Sequence, residues 1–186
     1  MRSKNFTTYK LVFWAMMAAI VCVITFFRFP LLGSKVHFAN TMCLLSGLLF
    51  GPLGGGIAAG LGSALYDALF GEYDLIQCLV TFVSKFLMAA VCAWITQAKK
   101  DEQPRKVRIV IASILGSFVY VVLYMLKTYV FQRFVYGYPL DAVWATMLSK
   151  LPASLINAVF AVITAPIVYF ALAPALRRSG VLDKLR

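Results

Sequence analysis

Three lysines lie inside long apolar runs of the sequence, where a charged side chain is costly. They are Lys85, Lys127 and Lys150. A lysine at mid-membrane costs about 3 kcal/mol on insertion scales, so it is expected to face a protein interior or a wet cavity, and it usually marks function. An ammonium group donates hydrogen bonds to oxyanions and other acceptors. The three lysines therefore predict a ligand site within the apolar part of the chain.

Other polar side chains recur at three- and four-residue steps around each lysine, a spacing that places them on one helical face. The residues on these faces that we assign to the ligand site are Gln77, Thr81 and Ser84 with Lys85, Tyr120 and Tyr124 with Lys127, and Ser154 and Asn157 with Lys150. By the helical rise, all three lysines fall in the outward half of their helices. Three such faces predict a pocket walled by the last three helices.

Loops at the outer ends of the helices carry residues that would roof this pocket. From these loops and the adjoining helices we add His37, Asn40, Asp67, Tyr73 and Asp74 to the site, and the same loops carry Glu72, Tyr136 and Tyr138. Tyrosines there would stack on a ring of the ligand.

A structural interpretation of the same residues stays open. Lys127 would then reach the membrane–water interface on the outer side, and Lys85 and Lys150 would pair with Asp67, Asp74 or Asp141. The loop tyrosines would form an interfacial aromatic belt.

Catalytic chemistry finds little support in the sequence. No Gly-Lys pair is present, so the chain lacks a phosphate-binding loop and cannot hydrolyse ATP by that route. Ser63 lies in LGSAL rather than in G-x-S-x-G, and a single histidine is available as a base. The cysteines form no C-x-x-C pair, and neither histidines nor aspartates cluster in a metal-binding pattern. We therefore predict no enzyme activity, no metal and no cofactor.

The composition is that of a membrane protein. Of 186 residues, 62% are hydrophobic and 13% are charged, whereas soluble domains are about half apolar and a quarter charged. Gly- and Pro-rich or charged breaks divide the apolar sequence into six transmembrane helices, which predicts a single all-α integral membrane domain over 1–186. The predicted spans are approximately 9–29, 37–50, 53–71, 76–97, 108–131 and 142–173.

The net charge of +11 follows from membrane topology rather than from nucleic-acid binding, because the basic residues flank apolar runs. With both termini on one side, twelve lysines and arginines fall on that side and three, Arg28, Lys35 and Arg133, on the other. The positive-inside rule then makes both termini cytoplasmic.

The first half of the chain carries small residues where the second half carries polar ones. Small side chains let helices approach closely in lipid. Gly56 and Gly60 form a G-x-x-x-G pattern typical of internal packing. On the first helix, Ala15, Ala18 and Ala19 stand among bulky side chains and predict a docking face for another protein.

Two segments of the sequence resemble a known family. They are LLSGLLFGPLGGGIAAGLGSALYDALFG from Leu44 to Gly71 and TFVSKFLMAA from Thr81 to Ala90. They resemble the substrate-binding S component of energy-coupling-factor (ECF) vitamin transporters, in particular its riboflavin-transporter-like branch. The A-x-x-x-A at Ala15 and Ala19 resembles the motif by which such subunits dock on a transmembrane coupling subunit.

The resemblance implies a multi-pass protein of a prokaryotic plasma membrane. It would capture a water-soluble vitamin or related micronutrient at the outer face and deliver it inward with the coupling subunit and two ATPase subunits. Riboflavin, pyridoxine, a thiamine-precursor pyrimidine, pantothenate and queuosine precursors are substrates in this family. The three lysines favour a ligand with a carboxylate or phosphate, such as pantothenate.

Two other functions remain open at this stage. A membrane scaffold of the rod-shape MreD type has a similar helical layout, but the three converging polar faces argue against it. A secondary transporter that works alone would show an internal inverted repeat, which the sequence does not display.

Overall fold

A computed structural model of the chain describes residues 8–31, 34–71, 73–97 and 105–182. Within these ranges, five helices are long and apolar enough to cross a membrane. A two-stranded antiparallel hairpin follows the first of them, and a π-helical turn extends the fourth. In chain order the elements are α1 (Thr8–Thr25), β1 (Arg28–Leu31), β2 (Ser34–His37), α2 (Ala39–Phe70), α3 (Leu75–Gln97), α4 (Lys106–Val130), the π-helical turn Phe131–Val135, and α5 (Leu140–Arg178).

The helix α2 contains two spans that the sequence predicts as separate helices. The chain breaks at Gly51, whose φ of 82° and ψ of −176° are non-helical, and Pro52 follows directly. Only glycine adopts this backbone conformation at little cost, because it has no Cβ. The residues that the structure describes therefore form five long helices, one of them interrupted, and the prediction of six membrane crossings stays a prediction.

The two segments of α2, 39–50 and 52–70, lie antiparallel in close contact. The Ser46 hydroxyl donates a hydrogen bond to the Gly55 carbonyl over 2.9 Å. Further from the break, the Cys43 sulfur lies 3.7 Å from the Ser63 hydroxyl. Since residues before the break pair in reverse order with residues after it, the chain reverses direction at Gly51.

Glycines also bring α1 and α3 against the second segment of α2. The Trp14 ring lies beside Gly54, and the Val21 side chain lies beside Gly62. Both residue numbers rise together along this contact, so α1 runs parallel to the segment. A Cβ at either glycine would overlap α1, which explains how closely the two helices approach.

The G-x-x-x-G pattern forms the contact with α3. The rings of Phe86 and Phe82 lie over Gly56 and Gly60, respectively. The predicted role of these glycines in internal packing is confirmed. Because the numbering on α3 falls as that on α2 rises, the two helices are antiparallel.

The first predicted span is wrong at its C-terminal end. The helix α1 ends at Thr25 instead of continuing to residue 29, and the chain then enters the hairpin, in which Phe29 pairs with Val36. Pro30 disfavours the helical conformation at the residue before it, which favours an extended strand here. A small β-hairpin is thus added to a fold that the sequence predicts as entirely helical.

The hairpin lies at one end of the helix bundle, and the Gly51 break lies at the other. At the first end, the backbone N–H of His37 in β2 donates to the Asn157 side chain in α5 over 2.9 Å. At the second end, the Gln97 side chain at the end of α3 lies beside Gly51. We refer to these as the hairpin end and the Gly51 end.

The reversal of α2 predicts that Gly55→Ala destabilises the protein. A Cβ at Gly55 would lie 2.5 Å from the Gly47 Cα, and overpacking of this kind costs about 1–3 kcal/mol. The melting temperature in detergent should fall. Leu61→Ala, a change on the exposed side of the same segment, is the control and should leave the melting temperature nearly unchanged. Equal melting temperatures for both variants would contradict the close packing described here.

Candidate ligand-binding cavity

A polar cavity of about 160 Å³ lies at the hairpin end of the bundle. All five long helices and the hairpin contribute to its walls. We call it the hairpin-end cavity. Its lining residues are Thr25, Arg28, His37, Ala39, Ser63, Tyr66, Asp67, Tyr73, Thr81, Ser84, Lys85, Tyr120, Tyr124, Lys127, Lys150, Ser154 and Asn157.

Lys85 is the most deeply enclosed cation of the cavity, with 4% of its surface exposed. Its ammonium group donates a hydrogen bond to the side-chain oxygen of Asn40. On its other side it lies over the Tyr120 ring, 3.7 Å from the ring centroid. Asn40 itself is fully buried behind Lys85 and is not among the lining residues. Its position is that of a residue that orients the lysine.

Lys127 and Lys150 are half-buried and reach the cavity from α4 and α5. The Lys127 ammonium donates to the Thr81 hydroxyl over 3.3 Å and lies 5.0 Å from the centroid of the Tyr73 ring. Among the described residues, no carboxylate oxygen lies within 4.0 Å, the limit for an ion pair, of the ammonium nitrogen of Lys85, Lys127 or Lys150. The structural interpretation in which Lys85 and Lys150 pair with aspartates is therefore not what the structure shows.

The polar face of α5 points into the cavity as its spacing predicts. Lys150, Ser154 and Asn157 all line it. The Asn157 side-chain oxygen accepts the hydrogen bond from the His37 backbone, which fastens the hairpin to α5. Ser154 is 2% exposed, and its hydroxyl finds no hydrogen-bond partner among the described residues. It is available to a ligand.

Tyr73, in the loop between α2 and α3, lines the cavity and is 41% exposed. Partial burial, reinforced by the nearby charge of Asp67, raises the pKa of the Tyr73 phenol to about 12. The phenol is thus neutral throughout the physiological pH range, and it can donate a hydrogen bond as well as accept one.

Most residues that the sequence assigns to the site are brought together in this cavity. Those outside its lining are Asn40, Gln77 and Asp74. Gln77 donates to the Tyr136 hydroxyl over 2.8 Å on the protein surface, and Asp74 is exposed. Tyr138 is also exposed and does not line the cavity, and Glu72 lies outside the described residues.

The prediction that the last three helices wall the pocket is incomplete. Ser63 and Tyr66 line it from α2 beside Asp67, which the sequence already assigns to the site. Thr25 and Arg28 line it from α1 and β1, and Ala39 lines it from the start of α2. The three residues of α2 follow the same three- and four-residue spacing as the predicted faces, so that signal was present in the sequence. The contribution of Arg28 follows from the hairpin, which apolar periodicity does not reveal.

A structure search relates the fold to a solved structure described as "Structure and mechanism of the S component of a bacterial ECF transporter". The two chains are 22% identical and superpose with a TM-score of 0.65, and the match covers 90% of this chain and 96% of that chain. At this identity the likeness shows the fold. The chain therefore has the fold of that membrane protein.

The family itself is shown by sequence. The family model of the ECF-type riboflavin transporter S component matches residues 5–174. The chain therefore belongs to this family, as the resemblance of its glycine-rich and lysine-bearing segments predicts. A comparison with curated proteins gave no match. As an S component, the chain is a substrate-binding subunit of an ECF transporter.

The enclosure of Lys85 predicts that Lys85→Met lowers ligand affinity by about tenfold or more, since a charge-assisted hydrogen bond contributes roughly 1.5–3 kcal/mol. Calorimetry against a vitamin panel measures this. Lys106→Met, at an exposed lysine that does not line the cavity, is the control and should bind normally. Unchanged affinity with a raised melting temperature for Lys85→Met would mean that Lys85 does not contact the ligand.

Proposed function

We propose that this S component captures a water-soluble vitamin or related micronutrient at the outer face of the plasma membrane. It then delivers the solute inward together with a transmembrane coupling subunit and two ATPase subunits. The observation that carries the proposal is the hairpin-end cavity, which gathers four basic side chains and four tyrosines inside an apolar bundle. Charged side chains at membrane depth are costly and mark solute pathways.

The distribution of basic residues supports an outward-facing cavity. Lys106 at the start of α4 and Arg178 at the end of α5 lie toward the Gly51 end, whereas Arg28 and Arg133 lie toward the hairpin end. The sequence as a whole places most basic residues with the termini. By the positive-inside rule this orients the Gly51 end toward the cytoplasm of a prokaryotic cell.

The exposed side of α1 supports docking of a coupling subunit. Ala15 and Ala19 are exposed there, between the bulkier exposed side chains of Val12, Met16 and Val23. Ala18, which the sequence assigns to the same face, is 5% exposed, and its carbonyl lies against Gly62 of α2. Ala18 therefore packs inside the bundle, and the proposed docking face is reduced to Ala15 and Ala19.

The cavity also separates this function from the other two. A scaffold protein need not bind a small molecule, and it does not require a charged cavity lined by all of the long helices. A secondary transporter that works alone would move the solute without ATPase subunits, whereas membership of the ECF family favours the energy-coupled importer.

We expect the isolated chain to bind its solute without nucleotide and to show no ATPase activity, because it has the cavity but no phosphate-binding loop. Calorimetry on the detergent-purified chain against a vitamin panel tests binding, and phosphate release tests hydrolysis. Mass spectrometry of co-purifying small molecules identifies a retained solute. If the folded protein binds no member of the panel and retains no solute, the scaffold function is favoured instead.

We expect Ala19→Trp to abolish vitamin uptake by cells that also express the coupling and ATPase subunits, because close helix packing in lipid requires small side chains. Solute affinity of the isolated subunit should stay near normal, since the Ala19 side chain points away from the bundle. The matched control is Ile114→Trp, an exposed position on α4, which should leave uptake intact.

Two results would contradict the docking proposal. Undiminished uptake with Ala19→Trp would mean that this side of α1 faces lipid. Loss of both affinity and melting temperature would mean that Ala19 is an internal contact.

A further inference from the structure

The hairpin-end cavity carries an excess of positive charge. Among the described residues that line it, Arg28, Lys85, Lys127 and Lys150 are basic, and Asp67 is the one acid. Four cations against one carboxylate leave a formal charge of +3. In a site enclosed by apolar helices, such charges are far less screened than at a protein surface.

Aromatic faces, rather than carboxylates, receive three of these four cations. The pairs are Lys85 with Tyr120 at 3.7 Å, Lys127 with Tyr73 at 5.0 Å, and Arg28 with Tyr66 at 5.2 Å from the ring centroid. A ring face attracts a cation through its quadrupole but carries no net charge. The positive charge of the cavity is thus held in place without being neutralised.

Lys127 and Lys150 both line the cavity, and two like charges in one enclosed site repel each other. They approach from different helices, α4 and α5, and both are half-buried. An anion between them would replace this repulsion by two attractions. The Ser154 hydroxyl, one helical turn beyond Lys150 and without a partner among the described residues, adds a neutral hydrogen-bond donor to the same wall.

We propose that the solute of this S component carries an oxyanion, a carboxylate or a phosphate, which binds among Lys85, Lys127 and Lys150. The inference rests on the proposed function and specifies its substrate class. A neutral solute would leave the positive charges unpaired inside the membrane, where an uncompensated buried charge is strongly unfavourable. The tyrosines that line the same cavity can contact an apolar or ring-shaped part of the molecule.

Two pairs of probes that differ only in the anionic group test this inference. Pantothenate and pantothenol differ by a carboxylate against a hydroxymethyl group, and riboflavin 5′-phosphate and riboflavin differ by a phosphate. Calorimetry on the purified full chain measures all four affinities. In at least one pair we expect the anionic member to bind about tenfold more tightly or better. The pair that shows the preference tells a carboxylate site from a phosphate site.

Substitutions then assign the preference to named residues. Lys150→Met and Lys127→Met should each reduce the ratio of anionic to neutral affinity by about tenfold, since each removes a charge-assisted hydrogen bond. Lys150→Arg keeps the charge and should retain most of the ratio. Arg133→Gln removes a cation at the hairpin end that does not line the cavity, and the ratio should not change. Melting temperatures identify any variant that fails to fold.

Each remaining outcome overturns a distinct claim. Equal affinities within both pairs, or tighter binding of the neutral members, would overturn the oxyanion inference and leave the proposed function standing. An anion preference that survives both methionine variants would overturn its assignment to these lysines. Absence of binding by all four probes and by the whole vitamin panel, with the protein folded, would overturn the proposed function and this inference together.

Discussion

A lysine ammonium enclosed between apolar helices must find polar partners within the protein, and Lys85 finds them on two other elements. From α3 it donates to Asn40 at the start of α2 and lies against Tyr120 of α4. Three helices are thereby fixed relative to one another at the depth of the cavity. Because the partners are an amide oxygen and a ring, the helices are joined without cancelling the charge of Lys85, which stays available to a solute.

This interaction depends on the close packing that glycine allows around the first segment of α2. Gly47 lies directly against the Ala89 carbonyl of α3, so the two helices touch backbone to backbone. Asn40 is two turns before Gly47, and Lys85 is about one turn before Ala89. The same approach thus brings Asn40 to the lysine. The reversal at Gly51 then returns the chain along the first segment, so that the second segment can supply Tyr66 and Asp67 to the cavity.

The sequence predicts well what depends on helical periodicity. The apolar runs correspond to the long helices, and the polar faces around Lys85, Lys127 and Lys150 converge as expected, because a three- and four-residue spacing fixes one side of a helix. Periodicity says nothing about where the first helix stops. The hairpin, and with it the place of Arg28 in the cavity wall, was therefore missed.

Burial of small residues is a second limit of sequence reasoning. Ala15, Ala18 and Ala19 are chemically alike, but Ala18 packs against α2 while the other two alanines are exposed. Alanine carries no signal that separates a face toward protein from a face toward lipid or a partner. The position of α1 beside the glycines of α2 decides it. Similarly, the break at Gly51 is visible in the sequence, but whether the two segments form one helix or two is a matter of backbone angles.

The position of α1 links binding of the partner thermodynamically to binding of the solute. Ala19 lies on its exposed side, and Thr25, which lines the cavity, lies about 9 Å further along the same helix axis. A tilt or shift of α1 that a partner imposes at its exposed side would therefore displace a wall of the solute site. Coupling between two binding sites is reciprocal. If binding of the partner lowers the affinity for solute by a given factor, bound solute must lower the affinity for the partner by that same factor. Release of the solute and tight assembly with the partner are then parts of one equilibrium.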